Sequence, residues 1–301
     1  MKRPVYICGP TASGKSALAL EVARALNGEI VNGDAFQLYR GMPVLTAAPT
    51  AQDLHSVKHH LYGVLDPSES CDAMKYRQMA LPVIEDIQQR GKLPIIAGGS
   101  GLYLKFLSHG PSPVPSGNPA LRAELEEMSL ETLITKLREL DPVEAGRTDL
   151  SNRRFVSRAV EICLIAGQPC SSLRDRWETR QREIDASMLG LFIQRDREEL
   201  HERINRRTHT MLSEGAVEEV RSLGDCSDGL AKAIGVPQIR ALLAGQIDQQ
   251  TCLDQISAAT RQYAKRQETW FRREKWLKQL RCQDSLPLPL EEALRTLSNK
   301  L

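Results

Sequence analysis

The chain has 301 residues, enough to bury a full core as one large domain with an insertion, or as two domains. Its formal charge is only +2, so any affinity for polyanions has to come from local clusters of Lys and Arg. The seven cysteines stand singly with no Cys-x-x-Cys pair, which argues against a zinc or disulfide framework. No apolar run approaches the roughly 18 residues that span a bilayer, and the chain reads as soluble, cytoplasmic and free of membrane partners.

The apolar run Val5–Cys8 reads as a buried parallel strand. Gly9, Pro10, Thr11, Ala12, Ser13, Gly14, Lys15 and Ser16 then fit the pattern G-x-x-x-x-G-K-[ST] position by position, and Leu18, Val22 and Leu26 carry helical spacing over 17–26. A strand, a Gly-bounded turn and a helix N-terminus aim backbone N–H groups and the helix dipole at one spot, which suits a phosphate. Lys15 would neutralise phosphate oxygens there, and the Ser16 hydroxyl would help hold a Mg²⁺ ion bridging them. The motif leaves open whether a phosphoryl group is transferred, hydrolysed or held as part of a leaving group.

Gly28–Asn32 reads as a second strand that delivers Asp34 to the sheet edge facing the ligand crevice of a doubly wound fold. An Asp there could hold Mg²⁺ through water, take a proton from a nucleophile, or cap the next turn. In 35–41, Gln37 could read a hydrogen-bonding edge, while Phe36 and Tyr39 could stack or pack. His59 and His60 are neighbours that face opposite ways on an extended chain, so they shape a loop better than they bind a metal. A helix follows over 74–89, then a buried strand over 93–97 that runs into Gly98-Gly99-Ser100-Gly101, where glycines permit close backbone approach.

The stretch 110–117 is rich in Pro, Gly and Ser and reads as a linker. Beyond it the pattern is wholly helical, with apolar stripes at Leu121, Leu125 and Met128 and at Leu130, Leu133, Ile134, Leu137 and Leu140. A further helix opens near Asn152 and ends at Gly167. It gathers Arg153, Arg154 and Arg158 within six residues, as a solvated face or a grip on a phosphate backbone. A strand over 188–193 returns to the sheet, and a helix over 202–212 puts Arg203 and Arg207 on one face, with Glu198, Glu199 and Glu202 as candidate partners. Last, 258–282 carries eight basic residues against two acidic ones, net +6, and reads as a basic C-terminal helix interleaved with Tyr263, Trp270, Phe271 and Trp276.

The phosphate loop, the segment 34–42, Thr46-Ala47-Ala48-Pro49-Thr50, His59-His60-Leu61, Asp66-Pro67-Ser68-Glu69, the turn 98–104, 233–238 and Ala264-Lys265-Arg266-Gln267-Glu268-Thr269-Trp270-Phe271-Arg272 together resemble the tRNA dimethylallyltransferase family. The matching segments run from residue 9 to about 273. The resemblance implies a P-loop NTPase-like α/β core over 1–112 and 186–301 and an all-helical insertion over 113–185. It implies an enzyme that takes dimethylallyl diphosphate and the anticodon stem-loop of tRNA, and prenylates N6 of the adenosine 3′-adjacent to the anticodon; nothing in the sequence demands more than a monomer. By the same resemblance the phosphate loop cradles the diphosphate, with Lys15, Ser16, Mg²⁺ and Arg207 on the leaving group and Asp34 as general base. Ala35, Phe36, Gln37, Ser100, Arg122, Arg153, Arg154 and Arg158 match tRNA-contact positions, and Gln37 is the candidate reader of the flipped adenine.

Ala35, Leu45, Ala48 and Val236 depart from the family's usual Ser, Gly, Lys and Tyr, removing one hydroxyl near the base and one cation. Two other readings of the residues remain open, a small-molecule kinase and an NTP-regulated RNA-binding protein without catalysis.

Overall fold

Strict alternation in Val5–Cys8 (β1) sends Val5 and Ile7 into one apolar layer and Tyr6 and Cys8 into another, all fully or nearly fully buried. The same alternation marks Gly28–Asn32 (β2), Leu93–Gly98 (β4) and Leu189–Gln194 (β5), as it must in a parallel sheet covered on both faces. In the computed structural model, which describes residues 2–111, 115 and 117–298, these strands join His59–His60 (β3) and Lys278–Arg281 (β6) in one parallel sheet of order β3-β2-β4-β1-β5-β6. Registers pair Cys8 with Gly98 and with Phe192, and Asn32 with Ala97. The turns after β1, β2 and β4 therefore end level with one another, at the edge where doubly wound sheets bind ligands.

One face of the sheet packs on Lys15–Leu26 (α1) and Leu290–Ser298 (α16), through Leu18, Val22, Ala293 and Leu297. The other face packs on Ala73–Gln89 (α4), Gly101–His109 (α5), Arg197–Ser213 (α11), Ala216–Ser222 (α12), Val236–Leu243 (α14) and Gln249–Arg273 (α15). Short helices at Pro43–Thr46 (α2), Ala51–Ser56 (α3) and Asp228–Ala231 (α13) join them. Among the described residues no helix is long and apolar enough to cross a membrane.

The chain divides into two compact units, Met1–Gly110 with Met188–Leu301, and Pro111–Ser187. Of the expected linker, residues 112–114 and 116 lie outside the described residues, and the expected boundary at 112/113 falls among them. The second unit is wholly helical, with Pro119–Glu127 (α6), Leu130–Leu140 (α7), Pro142–Arg147 (α8), Arg153–Ala166 (α9) and Cys170–Ser187 (α10). Its core is Leu125, Leu133, Leu137, Val156, Ala159 and Val160, so the two sequence stripes face inward as their spacing implied.

Two expectations need correction. The helix expected over 202–212 begins five residues earlier, at Arg197, because Asp196 occupies the N-cap position and Glu198 and Glu199 fill the first turn, where the helix dipole favours carboxylates. The stretch 258–282 is not one basic helix. Helix α15 ends at Arg273, and Lys278–Arg281 pairs with β5 as an edge strand in which only Leu280 is buried. A period of two around Leu280 buries it against the sheet, whereas helical continuation would follow a period near 3.6.

His59 and His60 form the opposite edge strand and are held by protein groups, His59 Nδ1 at 2.7 Å from the Val57 carbonyl and His60 Nε2 at 2.7 Å from Glu29 Oε2. Glu29 is 1% exposed. Hydrogen bonds from Arg90, then from His60 and Lys92, outweigh its desolvation and hold the carboxyl well below the usual carboxylate range. Replacing Glu29→Gln strands part-exposed cations rather than fully buried ones, so the expected loss is about 2–3 kcal/mol at pH 7. Because the folded pKa lies below the unfolded value of about 4.3, this stabilisation is complete above roughly pH 5–6 and fades as pH falls towards the folded pKa. Urea melts should show wild type and Glu29→Gln well separated at pH 7 and converging at acid pH; parallel curves would contradict the assignment.

Candidate active site

The phosphate loop connects β1 to α1 with Gly14 at the N-cap position, φ +97°, a left-handed conformation that a side chain would strain. Ala12 takes φ +64° without being glycine, so the loop stores some backbone strain that its surroundings must sustain. Two guanidiniums supply that support, Arg203 on the cavity wall, whose Nε donates to the Ala12 carbonyl at 2.8 Å, and the buried Arg195, whose Nε donates to the Ser13 carbonyl at 3.3 Å. Asp284, past the end of β6, binds both, at 2.6 Å from Arg203 and 2.9 Å from Arg195, and Glu199 binds Arg195 at 2.8 Å. Of the loop's own N–H groups, that of Thr11 is taken by Gln267 Oε1 and that of Ser13 by the Pro10 carbonyl.

Inside lies a cavity of about 820 Å³ lined entirely by the first unit. Thr11, Ala12, Gly14, Lys15 and Ser16 form one end of it, while Gly9, Pro10 and Ser13 lie buried behind. The half-buried Arg207 donates from Nη1 to the Thr11 hydroxyl at 3.0 Å. Burial pulls its guanidinium below the ordinary arginine value and Asp34 opposes that, leaving a half-buried cation at this end of the cavity. Neither Arg203 nor Arg207 pairs with Glu198, Glu199 or Glu202; Arg203 takes Asp284 instead.

Asp34 follows β2 and precedes a short 3₁₀ turn, Ala35–Leu38, yet its side chain makes no capping hydrogen bond. Its Oδ1 accepts the Gly99 N–H at 2.7 Å and its Oδ2 lies 3.4 Å from Lys15 Nζ, so the carboxylate faces the phosphate loop. A Cβ on Gly99 would sit 3.1 Å from Asp34 Oδ1 and 2.2 Å from Gln267 Nε2, which is why this turn is glycine. The Ser100 hydroxyl accepts the Ala35 N–H at 2.8 Å and bonds to Tyr263, whose phenol burial pushes up to about 12. Tyr263 is thus protonated, a potential donor, at neutral pH.

Phe36, Ala35, Gln37 and Ser100 all line the cavity. Gln37 Nε2 donates to the Thr46 and Ala47 carbonyls, both at 2.9 Å, and its Oε1 remains to accept from a ligand. That turn is itself anchored, since Glu219 accepts the Val44 and Leu45 N–H groups at 2.7 and 2.9 Å. Leu45 packs where Gly235 leaves room, because a Cβ at 235 would come within 2.4 Å of its Cδ1.

Arg122, Arg153, Arg154 and Arg158 belong to the second unit, where three of them are engaged. Arg122 and Arg158 bind the buried Glu161, and Arg153 Nη2 donates to the Leu125, Glu126 and Met128 carbonyls. Arg154 is exposed, without a partner among the described residues.

Sequence reasoning gave no role to Gln267, Arg195, Asp284 or Glu219. Gln267 had a legible signal, because Ala264, Gln267 and Phe271 share the buried stripe of α15, and a polar residue on such a stripe needs polar partners. For a metal, the described residues contain no group of three or more His, Cys, Asp or Glu that could hold one. The Ser16 hydroxyl has no protein partner among them, so the donor set fits a Mg²⁺ held by one hydroxyl and the ligand's phosphates rather than by a carboxylate cage.

A parallel sheet with a phosphate loop after β1, a carboxylate after β2 and a cation-walled cavity defines a P-loop NTPase-like α/β protein. The family model described as IPP transferase matches residues 37–274, and the chain belongs to that family. It is 46% identical to a tRNA dimethylallyltransferase of Akkermansia muciniphila, over 92% of each chain, and 41% identical to one of Geobacter metallireducens, over 90% of each. Among solved structures it resembles the full-length tRNA isopentenylpyrophosphate transferase of Bacillus halodurans, at TM-score 0.70 and 32% identity, covering 100% of this chain and 98% of that one.

Removing the wall arginine that holds the Ala12 carbonyl should loosen the anion site. Arg203→Ala is expected to weaken pyrophosphate binding about tenfold in calorimetric titration, equivalent to about 1.4 kcal/mol, with the melting temperature little changed. Unaltered affinity would show that the loop holds its shape without Arg203.

Proposed function

We propose that this chain transfers a dimethylallyl group from dimethylallyl diphosphate to N6 of the adenosine 3′-adjacent to the anticodon of tRNA. What carries the reading is one cavity that sets Asp34 beside a phosphate loop and a half-buried Arg207. N6 bonds to C1 of the donor while the C1–O bond breaks, its electron pair leaving with diphosphate. The N6 proton passes to the Asp34 carboxylate. Lys15, Arg207 and the loop N–H groups take up charge as diphosphate departs, commonly the largest catalytic contribution. Mg²⁺ at Ser16 would add further neutralisation of the phosphates.

A diphosphate on the loop competes with Asp34 for the Lys15 ammonium, which leaves a carboxylate lone pair open to the proton on N6. The Gly99 N–H keeps Asp34 in place meanwhile. An adenine in a single-stranded anticodon loop can leave its stack at low cost, as entry to the cavity requires. Phe36, Gln37 and Ser100 stand where such a base would arrive. We take the working form as a monomer in the cytoplasm, a compartment that suits a tRNA substrate and seven unpaired cysteines.

The test is nucleoside mass spectrometry of unmodified tRNA incubated with protein, Mg²⁺ and dimethylallyl diphosphate, beside an ATP-only control. N6-dimethylallyl adenosine is the expected product; ATP consumption without it would favour a kinase. Asp34→Asn should slow single-turnover transfer by about 10² to 10⁴ and Arg207→Ala by about 10² to 10³, with tRNA affinity retained. Unchanged single-turnover rates would remove those roles. Affinity for tRNA should fall steeply with salt, and Arg154→Ala should reduce the salt slope by about one without lowering the melting temperature. An Arg154→Ala slope identical to wild type would leave that arginine a solvated surface group.

A further inference from the structure

Gln267 lies on α15, 4% exposed, and its amide is used at both ends. Oε1 accepts the Thr11 N–H of the phosphate loop at 2.8 Å, and Nε2 donates to the Gly99 carbonyl at 2.9 Å. Each of those residues has a second contact inside the cavity. Thr11 Oγ1 accepts from Arg207, and the Gly99 N–H holds Asp34 Oδ1. A single planar amide thus connects the anion end of the cavity to the anchor of the carboxylate. β1 and β4 pair only as far as Cys8 and Gly98, and beyond them the two turns share no backbone hydrogen bond among the described residues, so the amide supplies the hydrogen bonds between them that the backbone does not.

We propose that Gln267 is a positioning residue for prenyl transfer. It fixes the phosphate loop against the Gly98-Gly99 turn and so sets the separation between a bound diphosphate and the Asp34 carboxylate. The proposal rests on the reading of Asp34 as the base and of the loop as the diphosphate site. The side-chain chemistry is specific, since one residue must accept on one side and donate on the other within a single rigid group, which glutamine does and glutamate, an acceptor alone when ionised, does not. The lack of room at Gly99, with a Cβ only 2.2 Å from Nε2, fixes the amide against the turn. Reaction rates respond strongly to such registration, because misplacement of reacting groups by about 1 Å can cost 10²-fold.

Gln267→Met keeps the volume and removes the hydrogen bonds to Thr11 and Gly99 together with the contact to the Tyr263 phenol, leaving Phe271 and Ala264 to pack α15. The expected result is a single-turnover rate down about 10²-fold and pyrophosphate affinity down about tenfold, with tRNA affinity kept. In an Asp34→Asn background the same change should slow transfer less than about threefold, because the carboxylate it registers is gone. A merely structural role would give the same loss in both backgrounds, and equal losses overturn the proposal. Gln267→Glu, which keeps the acceptor towards Thr11 but sets an oxygen against the Gly99 carbonyl, serves if Gln267→Met does not fold. Pyrophosphate titration needs no turnover, so it separates the two ideas. If the wild type makes no prenylated nucleoside the reaction assignment fails, and the clamp is still decided: a tenfold loss of affinity supports it and an affinity within twofold of wild type overturns it.

Discussion

A carboxylate placed beside a site built for anions works against itself. Two unit charges of like sign 4 Å apart repel by about 4 kcal/mol at the effective dielectric near a protein surface, and a diphosphate carries more than one charge. Asp34 stands in that position, and the surrounding structure can be read as the means of keeping it there. Lys15 lies between the carboxylate and the loop, the Gly99 N–H fixes one carboxylate oxygen, and Arg207 adds a half-buried cation attracted to the same charge. None of these contacts reaches Asp34 unless β1, β2 and β4 end level, so the sheet register is a condition of the electrostatics.

The loop faces a related constraint. Its carbonyls need partners once the chain turns into α1, and a left-handed alanine makes the turn costly to hold. Arg195 and Arg203 answer it by donating to Ser13 and Ala12, and Asp284 keeps both guanidiniums turned that way. The region after β6, which lacks any motif, therefore reaches the phosphate loop through two intermediaries. Its contribution is to shape, since Asp284 itself carries the wrong sign for a phosphate.

Features set by neighbours in sequence were legible before the structure. The phosphate loop, the core strands, the apolar stripes of the second unit and Asp34 at a strand end all follow from local periodicity and turn chemistry, and the sheet delivers Asp34 to the cavity as expected. Features set by distant pairing were not. Gln267 meets Thr11 across 256 positions and Glu219 meets Val44 across 175, and no local pattern announces such partners. The end of α15 was missed for another reason. Charge counting over 258–282 ignored the change of period around Leu280 that takes Lys278 and Arg281 out of the helix.

The arginines show the same limit in its sharpest form, because a sequence reports how many cations there are and not what already holds them. A guanidinium has five N–H donors, so an internal partner commits some and orients the rest. Arg153 spends Nη2 on three carbonyls, and Arg158 spends one nitrogen on Glu161 and another on the Pro115 carbonyl. Among the described residues Arg122 gives Glu161 its Nε and keeps both terminal nitrogens, with the side chain 54% exposed, while Arg154 keeps all its donors. Four arginines that look alike in the sequence thus divide into two that brace the helical unit and two with donors to offer a phosphate backbone. Glu161 sharpens the division, for a buried carboxylate needs its cations as much as an RNA would, and it claims Arg158 together with one edge of Arg122.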